Sequence, residues 1–292
     1  MEPPQNLPTY AETMKEQKPN TTNRFLDFIK TTPRPEKPRT TGLTEIRGPY
    51  YSVMGKRYLQ DVLETMGPHI DSLKFAGGSF TLLQPQALQD IIQLAHQHEV
   101  MVSTGGFIEY VLTQGKEAVT RYIQECKRVG FDIIELSSGF ITLPTDDWLR
   151  LIEMVQKAGL KAKPEIGIQF GAGGDTEAAA LKAAGTRDPG YVIKQAKRFL
   201  EAGAYLIMIE SEGITENADP WRTDVAAQFI DELGAGNLMF EAADPAVFEW
   251  YIRNYGYNVN LFVDHSQTIQ LECLRRGIWG TQSTWGRIQG FA

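Results

Sequence analysis

A single (β/α)8 barrel of the TIM type is the fold class this sequence predicts, and three observations predict it. Strand-like apolar runs alternate with helix-like runs through eight rounds, the helix-like runs carry apolar residues at helical spacing, and the ends of the strand-like runs collect charge. Strict alternation implies a parallel sheet, because parallel neighbours need crossover connections. A doubly wound open sheet would also alternate, but it calls for edge strands and a reversal of strand order that the sequence does not display.

Residues 1–36 are expected to form an arm ahead of a barrel domain at 37–292. Up to about residue 22 the arm is polar, with Pro3, Pro4, Pro8 and Pro19 and no sustained apolar period. Phe25, Leu26, Phe28 and Ile29 predict a short amphipathic helix over 23–30, after which Pro33, Pro35 and Pro38 break the chain.

Strands are expected at 41–46, 70–75, 100–104, 131–136, 160–165, 205–210, 237–241 and 259–264. Between them, Leu88, Ile91, Ile92 and Ala95 fall at i, i+3, i+4 and i+7. Val119, Tyr122, Ile123 and Cys126 repeat that spacing, as do Trp148, Leu151, Ile152 and Val155. Later helices are expected over 190–202, 221–233, 245–254 and 268–275, each opening near Asp, Ser or Pro and followed by glycine. In the fifth round Gly159 ends a helix, and Pro164, lacking an N–H, marks the end of the strand. The insertion at about 169–188 reads as a mobile lid. Its Gly171-Ala172-Gly173-Gly174 run is no G-x-G-x-x-G fingerprint, and no lysine completes a P-loop. Trp279 and Trp285 are expected to pack under the barrel, with a subunit interface as the alternative.

The 292 residues, 42% hydrophobic and 22% charged, can bury a full core. A formal net charge of −7 argues against general nucleic-acid binding and leaves room for a local basic pocket that holds a small anion. Cys126 and Cys273 show neither CxxC nor metal-ligand spacing, which fits a reducing compartment. No apolar run reaches membrane-spanning length and no leader pattern opens the chain, so a soluble cytoplasmic protein is expected.

In a barrel, the C-terminal strand ends converge on one face, so they name the site candidates. They are Glu45 and Arg47, Lys74, Glu109 beyond Gly105-Gly106, Glu135, Lys163 and Glu165, Glu210 and Glu212, Glu241, and Asp264 with His265. Carboxylates packed together repel unless cations sit among them, and a hard divalent ion with oxygen ligands, Mg²⁺ above all, meets that need. Glu210 and Glu241 are the first expected ligands, with Glu135 and Glu165 as third or supporting members. The alternative is an ionic layer in which these carboxylates pair with Lys74, Lys163 and Arg47 and bind no metal. Either lysine can hold an anionic substrate or move a proton. His265 reads as an acid, a base or an anion contact, or as the cap of the helix starting near Ser266. Arg47, Ser103, Gly105 and Glu109 are the expected substrate contacts.

Several segments together resemble the phosphosulfolactate synthase family, closest to its plant heat-stress-associated branch. They include Lys37-Pro38-Arg39, Asp71-Ser72-Leu73-Lys74-Phe75, Ser103-Thr104-Gly105, Gly130-Phe131-Asp132-Ile133-Ile134-Glu135-Leu136, Lys161-Ala162-Lys163-Pro164-Glu165, Phe240-Glu241-Ala242 and Val263-Asp264-His265-Ser266-Gln267. The resemblance spans about residues 37–280. It implies a (β/α)8 barrel and Mg²⁺-dependent addition of sulfite to phosphoenolpyruvate. Lys163, matching the family's Lys-Pro-Glu lysine, is then the implied proton donor, and Lys74 the implied holder of phosphate or sulfite. The chain departs from the archetypal enzymes at Ser138-Gly139, at Glu210-Ser211-Glu212-Gly213 and at Phe262-Val263-Asp264-His265. A relative forming a C–S or C–C bond on another small anion, and a non-catalytic stress-associated barrel, are the alternative readings. Barrels of this type often form homo-oligomers, which the sequence leaves open.

Overall fold

The computed structural model describes residues 25, 28–173 and 176–278. Eight parallel strands close into a barrel in sequence order. They are β1 (Thr44–Arg47), β2 (Ser72–Lys74), β3 (Met101–Ser103), β4 (Ile133–Leu136), β5 (Lys161–Ile166), β6 (Ile207–Ile209), β7 (Leu238–Glu241) and β8 (Leu261–Asp264). Every strand falls within or beside its expected run, and β8 pairs with β1 through Thr44↔Leu261 to Arg47↔Asp264. Most of the expected runs at 23–30 and 279–292, with Trp279 and Trp285, lie outside the described residues.

The surrounding helices are α1 (Lys56–Met66), α2 (Pro85–Gln97), α3 (Ile108–Leu112), α4 (Lys116–Val129), α5 (Thr145–Lys157), α6 (Ala178–Ala184), α7 (Pro189–Glu201), α8 (Thr223–Leu233), α9 (Pro245–Tyr255) and α10 (Thr268–Arg276). The stripes named above bury as expected: Leu88, Ile91, Ile92 and Ala95 on α2, and Trp148, Leu151, Ile152 and Val155 on α5. The caps follow the same logic. The Asp188 and Asp244 carboxylates accept from the N–H groups of Tyr191 and Ala246, and Gly130 ends α4 in the left-handed conformation. No described helix is long and apolar enough to cross a membrane.

Two apolar cores result. The larger lies between sheet and helices; the smaller, Leu43, Leu206, Met208, Met239 and Phe262, fills the N-terminal part of the barrel interior. Below it the chain is tied off by ions. The Thr32 N–H donates to the Arg276 carbonyl at 3.0 Å, Arg34 pairs with Glu272 at 3.2 Å, and Arg39 pairs with Asp71 at 2.8 Å. Thr32 and Arg34 are thus bonded to the barrel, and the compact unit that holds the barrel spans Thr32–Ala292.

Candidate active site at the barrel mouth

Above the inner apolar layer the barrel carries a chain of alternating charges. Register creates it: Glu135 on β4 lies opposite Lys163 on β5. The Lys163 ammonium contacts the Glu45 carboxylate directly and lies 3.0 Å from Glu135. Glu135 in turn lies 2.7 Å from the Lys74 ammonium, which is 3.7 Å from Glu165 and 4.3 Å from the centre of the Phe262 ring. The Ser72 hydroxyl donates to Glu45 at 3.1 Å. Burial opposes the charge of Lys74, yet Glu135, Glu165, Glu241 and Glu45 outweigh it and hold its pKa well above that of free lysine. Glu135 shows the converse: burial works against its ionised form, but Lys74 and Lys163 prevail and lower its pKa.

One layer further out, single carboxylate oxygens of Glu165, Glu210 and Glu241 all lie within 4.8 Å of one another. Arg47 reaches Glu241 at 3.2 Å. Glu210 accepts from the Glu212 backbone N–H at 3.1 Å, and no ion pair of Glu210 is found among the described residues. Burial first, and the charges of Glu241 and Glu165 second, push the Glu210 pKa well above the usual carboxylate range. Burial likewise pushes Glu165 up to about 8, with Glu135 and Glu241 adding to the shift against the pull of Lys74. Gly167 permits this crowding: a Cβ there would meet the Glu210 Cβ at 2.8 Å. Three carboxylate oxygens at this spacing, of which only that of Glu210 lacks a cationic partner among the described residues, fit a hard divalent cation such as Mg²⁺.

These groups form the floor of a cavity of about 940 Å³ whose wall includes Arg47, Lys74, Glu135, Glu165, Glu210 and Glu241. Of the predicted site residues, these six come together there with Glu212, whereas Glu45, Asp264 and four others do not line it. Lys163 is 1% exposed and lies beneath Glu135, so the lysine expected to give a proton to substrate is sealed below the floor. Ser103 is fully buried. Gly105 serves the backbone: with φ +61°, a Cβ there would meet the Phe75 carbonyl oxygen at 2.3 Å. His265 accompanies Tyr58, with Nε2 2.9 Å from the Tyr58 hydroxyl and Nδ1 3.2 Å from the Arg47 carbonyl.

Glu109 borders the cavity but is occupied by the loop after β4. Its oxygens accept from the Ser137 hydroxyl at 3.0 Å and from the N–H groups of Gly139, Phe140 and Ile141. Glu135, expected among the metal ligands, stands between the two lysines. The two ends of the 169–188 insertion, expected as a lid, are hydrogen-bonded to each other. Gln169 bridges to Thr186, its amide donates to the Leu181 and Gly185 carbonyls, and α6 forms within it. Gly173 gives its N–H to Glu212 at 2.9 Å, while Gly174 lies outside the described residues.

Arg187 was not foreseen. It lines the cavity, stacks 4.5 Å over Phe170 and donates to the Gly167 carbonyl, and it has no carboxylate partner among the described residues. Its place just before α7, in the loop after a barrel strand, was the available signal.

Comparison with known proteins agrees with this geometry. The (2R)-phospho-3-sulfolactate synthase (ComA) family model matches residues 32–281. Protein HEAT-STRESS-ASSOCIATED 32 of Arabidopsis thaliana is 41% identical over 262 residues, covering 86% of this chain and 92% of that one. A phosphosulfolactate synthase of Methanothermobacter thermautotrophicus is 26% identical over 269 residues, covering 90% and 98%. Among solved structures, the carboxyl transferase domain of Rhizobium etli pyruvate carboxylase with 3-bromopyruvate superposes with a TM-score of 0.52 at 12% identity. That match covers 76% of this chain and 39% of the carboxylase chain, and it speaks for the barrel fold alone. By the extent of the family match, the chain belongs to the (2R)-phospho-3-sulfolactate synthase family.

Proposed function

We propose that the protein is a Mg²⁺-dependent lyase that adds sulfite to phosphoenolpyruvate. The observation that carries this reading is one cavity floor holding both a three-carboxylate cluster and the Lys74 ammonium. Glu165, Glu210 and Glu241 would hold the metal. Bound there, Mg²⁺ supplies a Lewis acid that stabilises negative charge on the substrate carboxylate. The sulfite sulfur bonds to the methylene carbon, the electrons of the double bond move towards the carboxylate, and the phosphate-bearing carbon takes up a proton. No group leaves, so the product retains the phosphate.

Lys74 is the proton donor in this reading, in place of Lys163. Its raised pKa keeps it charged while substrate binds, and the carbanion-like carbon formed by sulfite attack is far more basic than any amine. Lys163 positions Glu135, which fixes the Lys74 ammonium from behind. Arg187, free of any carboxylate partner among the described residues, receives the phosphate as a planar fork of donors.

Incubation with phosphoenolpyruvate, sulfite and Mg²⁺, followed by mass spectrometry, is expected to yield phosphosulfolactate. Lys74→Met should lower kcat of the folded fraction by roughly 10²–10⁴, with some loss of stability because Glu135 and Glu165 lose a cation, and Arg187→Ala should chiefly raise KM. Full turnover in Lys74→Met would refute its assignment. The 41% identity to a relative named for heat stress favours one second reading, a barrel that binds metal and anion without turnover; absence of product with Mg²⁺ bound would select it.

A further inference from the structure

The mouth is too large and too aromatic for a three-carbon acid alone. Phosphoenolpyruvate, with ten non-hydrogen atoms, occupies on the order of 150 Å³ at the packing density of a protein interior. Sulfite and a metal ion added to it leave most of the roughly 940 Å³ unfilled. Cavities of this volume are ordinarily matched to ligands of several tens of atoms.

The lining is as telling as the volume. Tyr51, Phe140 and Phe170 from loops, Tyr110 from α3 and Tyr191 from the first turn of α7 follow four different strands, and all border this one cavity. Each stays substantially exposed: Phe140 at 63%, Tyr110 at 62% and Tyr191 at 56%. Exposed rings converging on one concave surface mark a binding site for something apolar or aromatic, since water gains nothing from them. Two cations are already stacked on these rings, Arg187 on Phe170 and Arg47 4.9 Å over Tyr51. The outer cavity therefore combines flat apolar walls with positive edges, while the floor carries the metal-ligand carboxylates.

We infer that the physiological substrate is an organic anion with an aromatic or similarly flat body. Its charged head meets the carboxylate-held metal, Lys74 and Arg187, and its body lies between the rings of Phe140, Phe170 and Tyr191. This rests on the lyase reading for the head and extends it to the rest of the molecule. It keeps the reacting enol-phosphate head of phosphoenolpyruvate and adds an aryl substituent to it, so that phosphoenolpyruvate itself is a smaller and more weakly held substrate.

Titration calorimetry in Mg²⁺ with two unreactive analogues, 2-phospholactate and 2-phospho-3-phenyllactate, tests the inference. The phenyl compound is expected to bind on the order of tenfold more tightly. Phe140→Ser and Tyr191→Ser should each shrink that ratio towards one. Equal or weaker binding of the phenyl compound overturns the inference, as does failure of both compounds to bind. Ring substitutions that leave the ratio intact but reduce the molecular mass in solution also overturn it, because a second copy of the chain would then be what covers the rings. A phenyl preference that persists without Mg²⁺ upholds the aromatic subsite and instead refutes the metal-dependent lyase.

Discussion

Glu210→Gln is expected to stabilise the metal-free protein at alkaline pH while abolishing its response to Mg²⁺ and its turnover. Glu210 is 7% exposed and faces Glu165 and Glu241, and no cation pairs with it among the described residues. The sign of the pH dependence follows from the raised pKa values. In the unfolded chain these glutamates ionise near pH 4.5, whereas in the folded protein Glu165 holds its proton to about pH 8 and burial beside Glu241 and Glu165 pushes Glu210 well above the usual carboxylate range. The folded state binds more protons in that interval, so metal-free stability falls as pH rises from about 4.5 to 8. Mg²⁺ displaces those protons and should restore the loss, so its thermal shift should grow across the same interval. Glu210→Gln should flatten both curves and be more stable than the parent at pH 8, with little change at pH 5. Denaturation midpoints at the two pH values, with and without Mg²⁺, measure this. A variant less stable than the parent at pH 8 without metal would show that the cluster is not repulsive.

Lys163→Met is expected to weaken the barrel before it reveals anything about chemistry. Glu45 and Glu135 are both fully buried, and the ammonium between them is 1% exposed. Among the described residues, removing it leaves Glu45 with the Ser72 hydroxyl and Glu135 with Lys74. Breaking a buried ion pair in this way costs about 3–5 kcal/mol, because a carboxylate is stranded out of water. A second change, Glu45→Gln, removes the stranded charge and should recover a large part of the loss. Urea titrations of the single and double variants provide the comparison. Turnover lost at an unchanged midpoint would instead restore Lys163 to direct contact with substrate.

The contrast between Lys163 and Lys74 shows where sequence reasoning reached its limit. That charged residues gather at strand ends was legible, because helix caps such as Asp188 and Asp244 and the glycine after α4 fix each element's end to within a residue or two. How deep each charge sits was not, because depth depends on the stagger between strands. Lys163 and Glu165 point to the same face, but two residues of strand separate them by roughly 6–7 Å. That distance takes Glu165 to the cavity wall and leaves Lys163 below it. The true partners of Glu109 were hidden for a related reason: backbone N–H groups of a loop leave no trace in side-chain identity. Arg187 escaped because composition marks its segment only as a loop, whereas the Gln169 side chain and the bridge to Thr186 hold that loop against the mouth.

The closure of β1 on β8 has a consequence for synthesis on the ribosome. The two strands are the first and last of the barrel, and their paired residues stand more than two hundred positions apart in the chain. At ~5–20 residues per second, β1 waits roughly 10–40 s after its own emergence before its partner is made. Throughout that interval one edge of the nascent sheet has no neighbour, and an open strand edge is the template on which chains stick to one another. Newly made copies are therefore most exposed to aggregation, and most in need of a chaperone, until the final strand arrives.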